Sequence, residues 1–291
     1  MKLLLTGAAG NLGRAILRTA SADDQIIALD LKQPADAVGS PGNVQWHEGT
    51  YANQTLLGKL LPGCDVIMHT AAAHPGNTPL DQRDTYIDLN VKALDMIYRQ
   101  MLDAGVKRMV YSSSAEVVIG ATWRTSGATV ISEDMQTYAM DSIYNMTKAM
   151  GEIVGRYWHQ KEGVQVALMR YMAFAGEPNP KAATELIVRE LCPDDVARAN
   201  WAAARCKTLG VETFHVAPDC PLDVHDVVAG LSDPHAVIEK HFPGAVELLG
   251  KNKFGIRKNL FPVLESSRTK QLLGWSPQYN FQTFLNQLDQ T

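Results

Sequence analysis

Thr6-Gly7-Ala8-Ala9-Gly10-Asn11-Leu12-Gly13 decides the fold. An apolar run, Lys2-Leu3-Leu4-Leu5, leads into it, and Leu12, Ile16 and Ala20 follow at helical spacing. The opening segment therefore reads strand, glycine-rich turn, helix. Glycine meets three needs in such a turn: a sharp reversal, close approach of the backbone to a pyrophosphate, and tight packing of helix on strand. The start of the helix adds unpaired N–H groups and the positive end of a dipole. Gly7, Gly10, Asn11, Leu12 and Gly13 are thus the expected cradle for a dinucleotide. A second apolar run, 26–29, ends at Asp30, about 20 residues on, where a carboxylate can accept hydrogen bonds from an adenosine ribose diol. Its charge would repel the extra phosphate of NADP, so NAD is the expected cofactor; Lys32 nearby leaves exclusivity open.

Outward from this stretch, short apolar runs at 44–46, 66–69, 108–112 and 164–170 alternate with longer segments of helical period. Their near-continuous Ile, Leu and Val content suits strands buried on both faces. The fold class that follows is α/β, a Rossmann-type doubly wound parallel sheet. Long helices are expected over 86–104 and 144–162, closed by Gly105 and Gly163. Beyond Pro178 and Pro180 the expected elements are a helix over 194–206, a strand over 212–216, a helix over 226–241, and helices at 267–273 and 281–288. Residues 1–170 read as a nucleotide-binding domain. Residues 171–291 read as a small C-terminal substrate lobe interleaved with the last sheet elements.

The 291 residues are 46% hydrophobic and 20% charged, enough for a sizeable core. A formal charge of -4 with scattered Lys and Arg argues against nucleic acid as a partner. The four cysteines show no paired CxxC spacing and read as reduced thiols. The eight histidines lack HxxEH or HxH spacing, so no metal is expected. The apolar stretch at the N-terminus is too short for a signal peptide or a membrane span, which makes the cytoplasm the expected location.

Tyr144-Asn145-Met146-Thr147-Lys148 places a phenol and an ammonium on one helix face. Tyrosine ordinarily titrates near pH 10, and a neighbouring cation favours its phenolate, so the pair suits acid–base work. Upstream, Tyr111-Ser112-Ser113-Ser114 ends a strand, where a hydroxyl can hold a substrate oxygen beside the phenol.

Taken together, TGAAGNLG, Asp30, His69-Thr70-Ala71-Ala72, Asn90, Ser112–Ser114 and Tyr144-xxx-Lys148 resemble the extended short-chain dehydrogenase/reductases, also called the NAD-dependent epimerase/dehydratase family. Met169-Arg170-Tyr171, Asp194-Asp195-Val196-Ala197 and Lys270-Gln271-Leu272-Leu273-Gly274-Trp275 extend the resemblance over almost the whole chain. The resemblance implies that Tyr144 is the acid/base and that Lys148 holds the nicotinamide ribose. It implies that Ser114 orients the reacting oxygen and that Asn90 supports a helix bend and a relay water near Lys148. Ala71 and Ala72 would let the cofactor, which also passes Ser112, approach the fourth strand.

Departures from the family pattern bear on substrate. Ser114-Ala115-Glu116 stands where dehydratases carry Thr-Asp-Glu, which disfavours elimination of water; Glu116 reads either as a substrate contact or as a structural carboxylate. Arg170-Tyr171-Met172-Ala173 lacks the asparagine that touches the nucleotide diphosphate in epimerases, and the segment before Asp194 is short. Both point to a small substrate: a free sugar, sugar acid or polyol. The stretch from Arg170 to Glu177-Pro178-Asn179 is similar in spacing to uronate dehydrogenases, which grip a carboxylate with an arginine; here Lys181 lies nearby, slightly out of register. His74 falls where the family's substrate loop begins, with a plain loop histidine as the alternative. The apolar side of the Tyr144 helix suits a homodimer, the family's common pairing. Reversible NAD-dependent oxidation of a hydroxyl is the leading expectation. An epimerase that keeps its NAD and a non-catalytic NAD-binding sensor are the alternatives.

Overall fold

The computed structural model describes residues 1–35, 39–119, 130–135, 141–174 and 179–290. Seven parallel strands form the central sheet: β1 (Lys2–Thr6), β2 (Gln25–Asp30), β3 (Asn43–Glu48), β4 (Val66–His69), β5 (Arg108–Ser112), β7 (Gln165–Tyr171) and β10 (Val211–Val216). The strands lie in the order β3-β2-β1-β4-β5-β7-β10. Two small ladders complete the strands, β6 (Val130–Ile131) with β11 (Val263–Leu264) and β8 (Ala173–Phe174) with β9 (Glu190–Leu191).

Alternation along the strands builds two separate cores. Leu3, Leu5, Met68, Val110, Ala167 and Met169 pack with the helices Asn11–Arg18 and Pro193–Arg205. Their neighbours Leu4, Ile67, Met109, Tyr111, Val166 and Leu168 pack on the opposite face, against Gln54–Leu60, Ala93–Asp103 and Ile143–Glu162. Successive strand residues point to opposite faces, so a strand covered on both sides must be apolar throughout. That is why the runs read from the sequence coincide with the strands. β1 sits at the reversal of strand order, flanked by β2 and β4. Crossovers leave it in both directions and open a crevice at the carboxyl ends of the strands, the place where such sheets bind ligands.

A third core, including Ile187, Val237, Leu249, Leu260, Phe281 and Phe284, belongs to the chain after residue 180. The chain beyond residue 170 nevertheless serves both parts, since Pro193–Arg205 and β10 are layers of the main sheet. Asp195 ties them together: its carboxylate accepts from Gln278 N and Tyr279 N, and its carbonyl from Trp275 Nε1.

Two helical expectations need correction. The segment 226–241 is two helices, Val224–Ala229 and Pro234–His241. Pro234 has no N–H to bond back, and the Asp233 side chain caps the new start by accepting from Ala236 N. The segment 86–104 is broken by a π-helical turn, Asp88–Lys92. Ala245–Lys251 is a helix the sequence reading did not anticipate. Helices at Ser267–Leu273 and Phe281–Leu288 lie where expected.

Candidate active site

A cavity of about 880 Å³ opens at the crevice and is walled by residues from the carboxyl ends of the strands, the Ile143–Glu162 helix and the later chain at Arg189 and Pro262. Its floor is the glycine turn. Gly7 adopts a φ of +74°, and a Cβ there would lie 2.7 Å from Ala71 N. At Gly13 a Cβ would sit 2.2 Å from Gly7 O, so any side chain would force the first helix off the strand. Asp30 closes the far end: Oδ2 accepts from Ala9 N at 2.9 Å and Oδ1 from Leu31 N at 2.7 Å. Each oxygen keeps a lone pair for a diol. Leu31 beside it is 74% exposed, an apolar face bordering the cavity.

Nearer the middle, Asn11, Leu12, Ala71, Ala72 and Ser112 line the wall. Asn90 is buried in the π-helical turn and is fully committed. Its Oδ1 accepts from Ala73 N at 2.8 Å, while Nδ2 donates to Ala73 O and to Thr147 Oγ1, each at 3.0 Å. Asn90 thus bolts the loop after β4 to the helix bearing Tyr144 and Lys148.

Ser142 caps that helix by accepting from Asn145 N, which fixes its start just before Tyr144. Tyr144 and Lys148 then fall on the face turned to the cavity, with Ser114 at the end of the β5 segment beside them. Lys148 Nζ donates to Ser112 O at 2.7 Å and lies 5.8 Å from the Tyr144 ring centroid. Burial pushes the Lys148 ammonium down to about 7. Burial also pushes the Tyr144 phenol up to about 12, with the Ser114 hydroxyl pulling the other way. The lowering expected from Lys148 is not found: desolvation, which penalises the phenolate, leads, and the opposing pull comes from Ser114.

His74, Glu116 and Arg189 line the cavity as well. The His74 and Tyr144 rings meet edge to face, 4.9 Å between centroids. Burial raises the Glu116 carboxyl, while Arg189 works against that shift. Lys181 is exposed and is not part of the cavity wall; its N–H is used by Asn179 Oδ1. Glu177 and Pro178 lie outside the described residues. Arg189 is the cation the sequence reading missed. It precedes β9, and the register Ala173↔Glu190 brings it alongside Met172 and Ala173, which also line the cavity. No motif surrounds it, so only the pairing of two short strands reveals its place. Among the described residues no cluster of His, Cys, Asp and Glu could hold a metal, and no helix is long and apolar enough to cross a membrane.

A parallel sheet split at a glycine-lined crevice, lined by a half-buried tyrosine and a buried lysine, is the layout of a nicotinamide-dependent enzyme. The chain belongs to the NAD dependent epimerase/dehydratase family, whose profile matches residues 3–210. NAD is accordingly its cofactor, and the cradle fits it: the turn is shaped for backbone against phosphate, and Asp30 is set for a ribose. A uronate dehydrogenase of Pseudomonas syringae pv. tomato is 26% identical over 240 residues, covering 81% of this chain and 76% of its own. A UDP-glucose 4-epimerase of Lactobacillus helveticus is 27% identical over 179 residues; the match spans 60% of this chain and only about half (52%) of that relative. Among solved structures, glucuronic acid dehydrogenase from Chromohalobacter salexigens shares the fold with a TM-score of 0.67 at 21% identity, over 100% of this chain and 89% of that one.

Proposed function

We propose that this protein oxidises, reversibly, a hydroxyl of a small sugar, sugar acid or polyol, with Tyr144 as acid/base. The observation that carries this reading is the convergence of Ser114, Tyr144 and Lys148 on one cavity continuous with the dinucleotide cradle. When bound, NAD supplies the hydride acceptor and a cationic ring. The protein's own groups do the rest. Ser114 Oγ holds the substrate oxygen, and the Tyr144 phenolate takes its proton as the carbon–oxygen double bond forms. Lys148, fixed on Ser112 O, would hold the ribose and, when protonated, add the positive charge that the phenolate needs. In the reverse direction Tyr144 returns the proton.

Substrate charge is read from the cavity's far wall. Arg189 offers a planar guanidinium, the group best matched to a carboxylate, so a sugar acid suits the site better than a neutral sugar. The relatives' uronate dehydrogenase activity is in keeping with this. Ala173 stands where a nucleotide-binding amide would be expected, which supports a substrate without a nucleotide.

Purified protein with NAD and a panel of sugars, aldonates, uronates and polyols tests the reading through NADH formation. Lasting NADH with a sugar acid is expected. Conversion of a substrate to its epimer without accumulated NADH would replace the dehydrogenase by an epimerase.

The pairing of two copies is part of the same proposal. Ile153 and Tyr157, one turn apart on the Ile143–Glu162 helix, are 59% and 52% exposed and suit a two-fold contact. Light scattering should give about twice the chain mass of 31.9 kDa, and a value matching one chain would reject the dimer.

A further inference from the structure

We propose that His74 is a specificity-determining residue acting as a neutral hydrogen-bond donor, its Nε2–H held for an acceptor oxygen on the substrate next to the carbon oxidised, and never as an acid or base. The inference rests on the reading above that the cavity takes a hydroxylated substrate.

Position comes first. His74 follows Ala73, whose N–H and C=O are both gripped by Asn90. The same Asn90 amide holds Thr147, so the His74 loop and the Tyr144 helix share one fastening. The loop is also stiff in itself. His74 N donates to Asn77 Oδ1, while Asn77 N and Thr78 N both return to His74 O at 2.8 Å. Tyr86 OH, from the next helix, anchors the turn's end through Thr78 O. The imidazole therefore keeps its edge-to-face contact with Tyr144 while lining the same cavity as Ser114.

The tautomer follows from one bond. Gly76 N donates to His74 Nδ1 at 3.0 Å. A nitrogen that accepts carries no proton, so the ring proton is on Nε2. Rotating the ring by half a turn would set a carbon against that N–H, which fixes the orientation as well. Protonating Nδ1 would place two donors face to face. The charged groups on the same cavity are Lys148, beside Tyr144 on the helix, and Arg189, which resist a second positive charge, with the carboxylates Glu116 and Asp30, the latter engaged by Ala9 N and Leu31 N. Burial, then Lys148, lowers its titration further. A neutral donor whose Nδ1 is already engaged is poorly set to shuttle a proton, but it can require an oxygen at one position of the substrate.

The test pairs spectroscopy with kinetics on the full-length protein with NAD. Imidazole nitrogen shifts of His74, assigned by difference from the His74→Gln variant, should show a protonated Nε2, a bare Nδ1 and no titration near neutral pH. Nδ1 protonation, or an imidazolium at pH 7, would overturn the proposal whether or not a substrate is in hand. In turnover, His74→Phe should lower kcat/KM about three- to tenfold, chiefly through KM, with the pH profile's shape and NAD affinity unchanged. His74→Gln, which still donates, should recover part of the loss. Unchanged kinetics in His74→Phe, loss of a pH limb, or no advantage of Gln over Phe would each refute it. Wild-type protein that binds NAD but oxidises nothing would overturn the proposed function instead, leaving the tautomer result to stand.

Discussion

Removing the Glu152 carboxylate should unfold this protein far more readily than a change of one side chain on its surface. Glu152 lies one turn beyond Lys148 on the catalytic helix and meets Arg170 of β7. Its Oε1 accepts from Ser113 Oγ at 2.6 Å and from Arg170 Nε at 2.9 Å, and Oε2 accepts from Arg170 Nη2 at 2.8 Å. The two side chains are only 3% and 2% exposed. In Glu152→Ala the guanidinium keeps Met135 O as a partner but loses its counter-charge inside the protein. Breaking one side of a buried pair costs about 3–5 kcal/mol. For a chain of this size each kcal/mol moves the midpoint by roughly 2–4 °C, so melting should fall by about 6–20 °C. Replacing both partners, as in Glu152→Met/Arg170→Met, removes the stranded charge and should restore most of the loss, because an apolar pair of similar volume is often as stable. Thermal unfolding followed by circular dichroism reads both. A single variant within about 3 °C of wild type would show the pair to be worth no more than a surface ion pair. A double variant as labile as the single would show that stranded charge is not the cause. The double variant should still turn over slowly, since Ser113 has lost its acceptor and Ser114 beside it its fixed placement.

Tyr144→Phe should reduce kcat by about 100-fold or more while NAD binding, followed by titration calorimetry, stays intact; equal turnover would remove the acid/base role. Gly13→Ala should abolish NAD binding, because its Cβ would fall 2.2 Å from Gly7 O; normal affinity would mean the first helix is not packed as described. The buried Lys148 predicts a pH effect on the NAD-free protein. Its folded value, lowered to about 7, is below that of the unfolded chain, near 10.4. Between these values the unfolded chain binds the extra proton, so stability rises with pH through that window and the penalty is complete below it. Melting temperature should climb between pH 7 and pH 9 in wild type and not in Lys148→Met, and identical slopes would contradict this. Arg189→Ala should raise KM for a sugar acid about tenfold and leave a neutral sugar nearly unaffected; equal losses on both would take the carboxylate away from Arg189.

What could be read from the sequence was whatever lies within one element or across one turn. The glycine turn, Asp30 at the end of β2 and the tyrosine–lysine pair are local, because strand alternation and helical spacing alone place their side chains. Strand runs were legible because both faces of this sheet are covered. Breaks were harder. The Asp233-Pro234 step carried its own stop and start signal, yet apolar periodicity over 226–241 obscured it. The π-helical turn at Asp88–Lys92 leaves no mark in that periodicity, since it shifts the register by one residue and then resumes.

The substrate end shows where local reading stops. A cation was expected shortly after Asn179, and Lys181 is the nearest in sequence, but that segment is spent on backbone contacts: Ala183 N donates to Gly255 O and Gly255 N to Pro180 O. The guanidinium that reaches the cavity comes from Arg189, beyond the short helix Glu185–Val188, and is placed by two strands of two residues each. Neither strand is long enough to produce a period of its own. Each exists because the other is there, and their meeting depends on the lobe's separate core being assembled. Ser114, Tyr144 and Lys148 are therefore placed by the sheet and its helices, while Arg189 is placed by the pairing of β8 with β9. On the proposed reading, changes around Arg189 would alter which molecule is oxidised without disturbing Tyr144, Lys148 or the cradle.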